Sequence, residues 1–157
     1  MSPRQLDPAP PADALGAALY TAVGDFLDAL DHGSDALEPW FTPDATMYFP
    51  FHNSQARLEG REAIVARFAR MNAQLRKARA SGPYIGFGVK DFRHQLLTAP
   101  ADGTTGWVLV TALFTFADQW GRRTLLMRHD AGSGTNTGWR IHHLHASNMK
   151  APEGAPT

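Results

Sequence analysis

The apolar residues of this chain change their period partway along it. In the first half they recur every three or four positions, as Leu15, Leu19, Val23, Phe26 and Leu30 and again as Ile64, Phe68, Met71 and Leu75, the spacing that lines one face of an α-helix. From Tyr84 onward the pattern is that of strands: Tyr84–Thr98, Gly106–Asp118, Arg122–Asp130 and Trp139–Asn148, separated by turns rich in Gly, Asp and Asn. A chain that writes helices first and an antiparallel meander afterwards can bury both by packing the helices on one side of the sheet, an α+β domain. Asp31-His32-Gly33 supplies the first helix stop. Ser34 caps a short second helix through Phe41, which Pro43 ends, and Asp44 to Pro50 is extended. The third helix follows Gly60, with Arg67, Arg70, Arg76, Lys77 and Arg79 on its solvated side. Within Tyr84–Thr98 the apolar phase slips from Ile85, Phe87 and Val89 to Phe92 and Leu96, which predicts a bulge at Lys90-Asp91 that bends the strand.

A length of 157 residues suits one domain. We place it at 12–149, with flexible tails at 1–11 and 150–157. Lys plus Arg balance Asp plus Glu at 15 each, so no global field favours nucleic acid or an anionic membrane, and neither is expected as a partner. Without cysteine there is no disulfide, thiolate metal site or cysteine nucleophile. No apolar run approaches a membrane span and the Pro-rich start lacks the core of a signal peptide, so a cytoplasmic protein is expected.

Candidate chemistry concentrates in the last strand. If Trp139 to Ser147 is regular, Ile141, His143, His145 and Ser147 share one face, and two imidazoles there can accept, donate or shuttle protons. Three readings of His143 and His145 stay open: acid/base groups, structural histidines at a core or dimer surface, or a metal pair completed by Asp130. Arg128 and Asp130 share strand parity, so Arg128 either anchors an anionic oxygen or forms an ion pair with Asp130. Ser147 is not on a nucleophile elbow, and Trp107, Trp120 and Trp139 fit core or interface positions.

The runs Leu30-Asp31-His32-Gly33-Ser34-Asp35, Trp40-Phe41-Thr42-Pro43-Asp44-Ala45-Thr46 and Leu58-Glu59-Gly60-Arg61-Glu62-Ala63-Ile64 resemble, in order and spacing, the nuclear-transport-factor-2-like (NTF2-like) superfamily and its SnoaL-like branch. The ending, Asp118 to Thr124 and then His143-Leu144-His145-Ala146-Ser147, resembles the closing hairpin of the calcium/calmodulin-dependent kinase association domain. The resemblance implies a cone: three helices on a strongly curved, mainly antiparallel sheet, a cavity at the wide end and a homodimer. Steroid isomerases of the superfamily place catalytic groups where this chain has Phe26, Phe49 and Phe68, and the late-strand aspartate matches Asp130. That resemblance implies an apolar pocket without the isomerase machinery. The association-domain match implies that His143, His145 and Ser147 line the inner face, with Arg128 beside them.

The expected function is therefore cofactor-independent acid/base chemistry (isomerase, cyclase, dehydratase or lyase) on a hydrophobic, aromatic or polyketide-like molecule. His143, His145 and Asp130 would be catalytic, while Arg128, Phe26, Phe49, Phe68 and Ser147 would hold the substrate; no metal is required. The contrasting expectation is a ligand-binding or dimeric assembly module of the same fold.

Overall fold

The computed structural model describes residues 13–50, 56–101, 105–130 and 135–155. The tail expected at 1–11 lies outside them. Helix α1 (Ala14–Asp31) begins where the Asp13 carboxylate accepts the Gly16 N–H at 2.7 Å, and it ends as expected, with Gly33 in the left-handed region at φ 67. Its apolar stripe, Leu19, Val23, Phe26 and Leu30, is buried. Helix α2 (Arg61–Ala78) buries Ile64, Val65 and Phe68.

Three helices were expected, and among the described residues two form. Glu38–Trp40 makes only a single 3₁₀ turn, after which the chain is extended from Phe41. Pro39 has no N–H with which to close an α-helical bond, and Ser34 Oγ accepts from Ala36 N at 3.3 Å in a local turn instead of capping a helix. Pro43 does not end a helix. It sits inside strand β1 (Phe41–Tyr48), in the irregular stretch where pairing skips from Phe41 to Thr46.

Strand β2 (Leu58–Glu59) pairs antiparallel with β1, and β3 (Gly88–Thr98), β4 (Gly106–Phe116), β5 (Gln119–His129) and β6 (Trp139–Lys150) form the meander. The sheet order is β2-β1-β6-β5-β4-β3, with β1 and β6 parallel. The bulge expected at Lys90-Asp91 is present: pairing shifts between Lys90 and Arg93, and Asp91 has φ 48. The segment expected to begin a detached tail at 150 stays on the body, since β6 runs through Lys150 and Ala151 N–H bonds to Asp118 O at 2.8 Å.

The sheet's inner face and the two helices enclose one apolar cluster that includes Leu19, Leu27, Phe41, Ile64, Val108 and Leu125. Asp31 is buried at the end of α1, and its carboxylate accepts the N–H groups of Gly86 (3.0 Å) and Phe87 (3.2 Å). It thus ties the helix end to the chain entering β3, a structural use of the residue. Among the described residues no helix is long and apolar enough to cross a membrane.

Candidate functional site

Strand parity decides which side chains reach the interior. On β5 the buried positions are Gly121, Arg123, Leu125 and Met127, so one guanidinium occupies the phase otherwise reserved for apolar groups. On β6, Trp139 and Ile141 are buried, and then the phase changes to Leu144 and Ala146. The change has a local cause. Met127 pairs with Ile141 and Leu126 with His143, leaving His142 without a partner residue, a bulge that turns the rest of the strand over.

That bulge corrects the sequence-based placement of His143, His145 and Ser147. They were expected on the inner face; the structure puts them on the outer one. His143 Nδ1 lies 2.7 Å from Thr46 Oγ1, and its ring and that of His145 stand 6.1 and 5.4 Å from the half-exposed Tyr48 ring. Partial burial lowers the His143 pKa below its ordinary value, and the neighbouring His145, Arg57 and His142 lower it further. His142 is on the same side, 2.9 Å from Thr42 Oγ1 and edge-on to Trp107.

Arg128 and Asp130 are also outside the interior. Arg128 Nε and Arg140 Nη2 each donate to Asp130 Oδ2 at 2.8 Å, so the ion-pair alternative describes them. Burial alone would raise the Asp130 carboxyl, but the hydrogen bonds and charges of Arg140 and Arg128 outweigh it and hold the pKa below the ordinary carboxylate value. Asp130 is therefore poised as an anion, not as a proton donor. Among the described residues no group of three or more His, Asp or Glu is disposed to hold a metal.

Phe26, Phe49 and Phe68 are brought together. Ring centroids lie 6.0 Å apart for Phe26 and Phe68 and 5.0 Å for Phe49 and Phe68, and all three line a cavity between α1, α2 and the inner sheet. The cavity volume is about 80 Å³; all atom-free space there, the open solvent at its mouth included, is about 530 Å³. Phe87, Phe114 and Phe116 line another part of it, and its polar lining residues are Arg123 and Asn148.

Neither of those two residues was singled out from the sequence. Their signal was parity: Arg123 is in phase with Leu125 and Met127, and Asn148 with Leu144 and Ala146. Arg123 is 7% exposed, yet no carboxylate pairs with it among the described residues. Its Nη1 donates to Arg122 O (3.0 Å) and Ser147 O (3.2 Å), its Nη2 to Asn148 Oδ1 (3.1 Å), and the guanidinium lies 5.3 Å from the Phe114 ring centre. Burial pushes its pKa down to about 10, because an interior disfavours the charged form. Gly121 makes the space: a Cβ there would stand 2.5 Å from Arg123 Nη1.

No family model matches the chain. No curated protein matches it either. Solved structures do match. A candidate calcium/calmodulin dependent protein kinase II association domain from Xanthomonas campestris is 17% identical, with 98% of this chain and 99% of that one covered and a TM-score of 0.61. The corresponding kinase II hub from S. rosetta is 20% identical over 90% of this chain and all of its own, with a TM-score of 0.58. An NTF-2 like protein of unknown function from Silicibacter pomeroyi is 19% identical, covering 85% and 94%, with a TM-score of 0.51. These likenesses show an NTF2-like fold.

Proposed function

We propose that the cavity binds a small apolar molecule with an anionic head, a carboxylate, and that this binding is the function of the site. The observation that carries the reading is Arg123, a buried guanidinium facing neutral acceptors on one side and a phenylalanine-lined cavity on the other. Burying an unpaired charge is costly, and an arriving carboxylate would offset that cost while the rings cover its apolar body. Arg123 Nε–H and one hydrogen of Nη2 have no acceptor among the described residues and remain for the ligand.

Binding is favoured over acid/base turnover because the polar lining among the described residues consists of a guanidinium and a carboxamide, neither of which exchanges protons readily at neutral pH. The test is a thermal-shift panel of arylalkanoic acids, followed by product analysis. At a hundred times Kd a ligand adds about 2.7 kcal/mol, or roughly 5–10 °C for a domain of this size. A shift that is absent in Arg123→Met and unaccompanied by product supports binding; product formation restores the enzymatic reading, and no shift with any acid rejects the site.

A second feature favours self-assembly alongside binding. The outer face of β4 and β5 carries Leu109, Leu113 and Leu126 with Trp107 beside them, half-buried within one chain. A solvated sheet face is ordinarily polar, and a homodimer formed through it would cover these side chains. Light scattering reads this directly: a monomer at micromolar concentration rejects it, whereas a dimer split by Leu126→Glu supports it.

A further inference from the structure

We infer that Asn148 sets the charge the cavity accepts, by giving Arg123 an acceptor without giving it a counter-ion. This rests on the binding reading above and deepens it. A guanidinium so far from solvent ordinarily keeps a carboxylate for company. The position that supplies its side-chain acceptor is Asn148, through Oδ1 at 3.1 Å. An aspartate has the same shape and would cancel the charge; the carboxamide leaves the floor of the cavity cationic.

The same hydrogen bond orients the amide. With Oδ1 committed to Arg123, the hydrogens of Nδ2 lie on the other branch of a side chain that lines the cavity. The carbonyls of Arg122 and Ser147 are engaged by Nη1. Among the described residues, what the polar end offers is thus a set of donors: Arg123 Nε–H, the second Nη2 hydrogen and Asn148 Nδ2–H. A donor-only surface matches a head group that only accepts. A deprotonated carboxylate qualifies, and Nε with Nη2 is an edge of the guanidinium that can meet its two oxygens. A primary amide can meet those donors only through its neutral carbonyl, and an ammonium places its own hydrogens against them, so both bind more weakly. The ligand class is therefore an ionised acid on a flat apolar body, selected against its own amide.

The experiment titrates the full chain calorimetrically with benzoate, phenylacetate and 3-phenylpropanoate and with the three matching amides. Wild type is expected to prefer acid to amide by roughly 10–100-fold, the value of charged over neutral hydrogen bonding. Asn148→Asp is expected to erase that preference by weakening the acid, with melting at or above the wild-type temperature. Should Asn148→Asp fail to fold, Asn148→Leu serves: without the amide donors it should bind the acid about tenfold more weakly and lose less of its affinity for the amide. Acid preference undiminished in the Asn148 variants overturns the role of Asn148 while leaving the cavity reading intact. Wild type that binds no acid, or binds acid and amide alike, overturns both.

Discussion

Replacing Arg123 with methionine should nearly abolish acid binding while lowering stability only slightly. Burial pushes the guanidinium pKa down to about 10, which corresponds to a penalty of about 3 kcal/mol for keeping the charge inside at neutral pH. Against that stand three hydrogen bonds to Arg122 O, Ser147 O and Asn148 Oδ1, worth about 1.5 kcal/mol each at the low end for a charged donor. The bonds exceed the penalty by about 1.5 kcal/mol. Methionine fills much of the same volume without a charge, so the expected loss is within about 1.5 kcal/mol, a melting-temperature drop of roughly 3–6 °C at most. Loss of the carboxylate partner should weaken acid binding by about 30-fold or more. Differential scanning calorimetry with and without 3-phenylpropanoate measures both quantities. The pH dependence has a definite sign. The folded-state pKa is depressed to about 10, so above that pH the unfolded chain holds the extra proton and the wild type gains stability on the variant as pH rises. A melting temperature more than about 10 °C below wild type, together with unchanged acid affinity, would mean that Arg123 is a structural residue and would refute the reasoning.

Other substitutions separate packing from binding. Phe68→Ala removes a ring within 5.0–6.1 Å of Phe49, Phe26 and Phe41 and should cost about 3–5 kcal/mol in chemical denaturation. Gly121→Ala sets a methyl against the guanidinium and should lower acid affinity more than it lowers the denaturation midpoint; an unchanged affinity would show that Arg123 can bind from another pose. Asp31→Ala strands the Gly86 and Phe87 N–H groups, so a loss of about 2–4 kcal/mol is expected. His143 has a depressed folded pKa, so its contribution is full above its ordinary pKa of 6.5 and is lost as pH falls below it. His143→Gln should therefore flatten the acid limb of the stability curve without altering ligand affinity, and an affinity change would return the outer-face histidines to consideration.

Periodicity made much of the architecture legible. The 3.6-residue stripes of α1 and α2 and the alternation of β3 to β6 are properties of side-chain order alone, and even the bulge at Asp91 showed as a slip in phase. The site was harder to read. The His142 bulge leaves the same kind of slip, from Trp139 and Ile141 to Leu144 and Ala146, but it is masked because Ile141, His143, His145 and Ser147 complete a regular alternation equally well. The histidines drew attention by their chemistry, whereas Arg123 carried the information by standing among apolar neighbours of equal parity. Ser34 to Trp40 misled for a different reason. A capping residue and two aromatics suggest a helix, but Pro39 and the pairing of β1 with β6 draw the segment straight. The three phenylalanines were found because bulky rings on separate elements need one common interior.

A strand carrying one surplus residue has a hidden alternative. Were β6 to pair without its bulge, everything downstream would rotate by half a turn: imidazoles would enter the greasy interior while Leu144 and Ala146 met solvent. Deleting His142 does the opposite, because His143 would follow Ile141 opposite Leu126 as it already does, and Leu144 and Ala146 would keep facing in. The strand should thus survive the loss of this one codon with its ladder to β5 intact, and the surplus residue is best understood as the hinge that decides which half of the alphabet in β6 faces in.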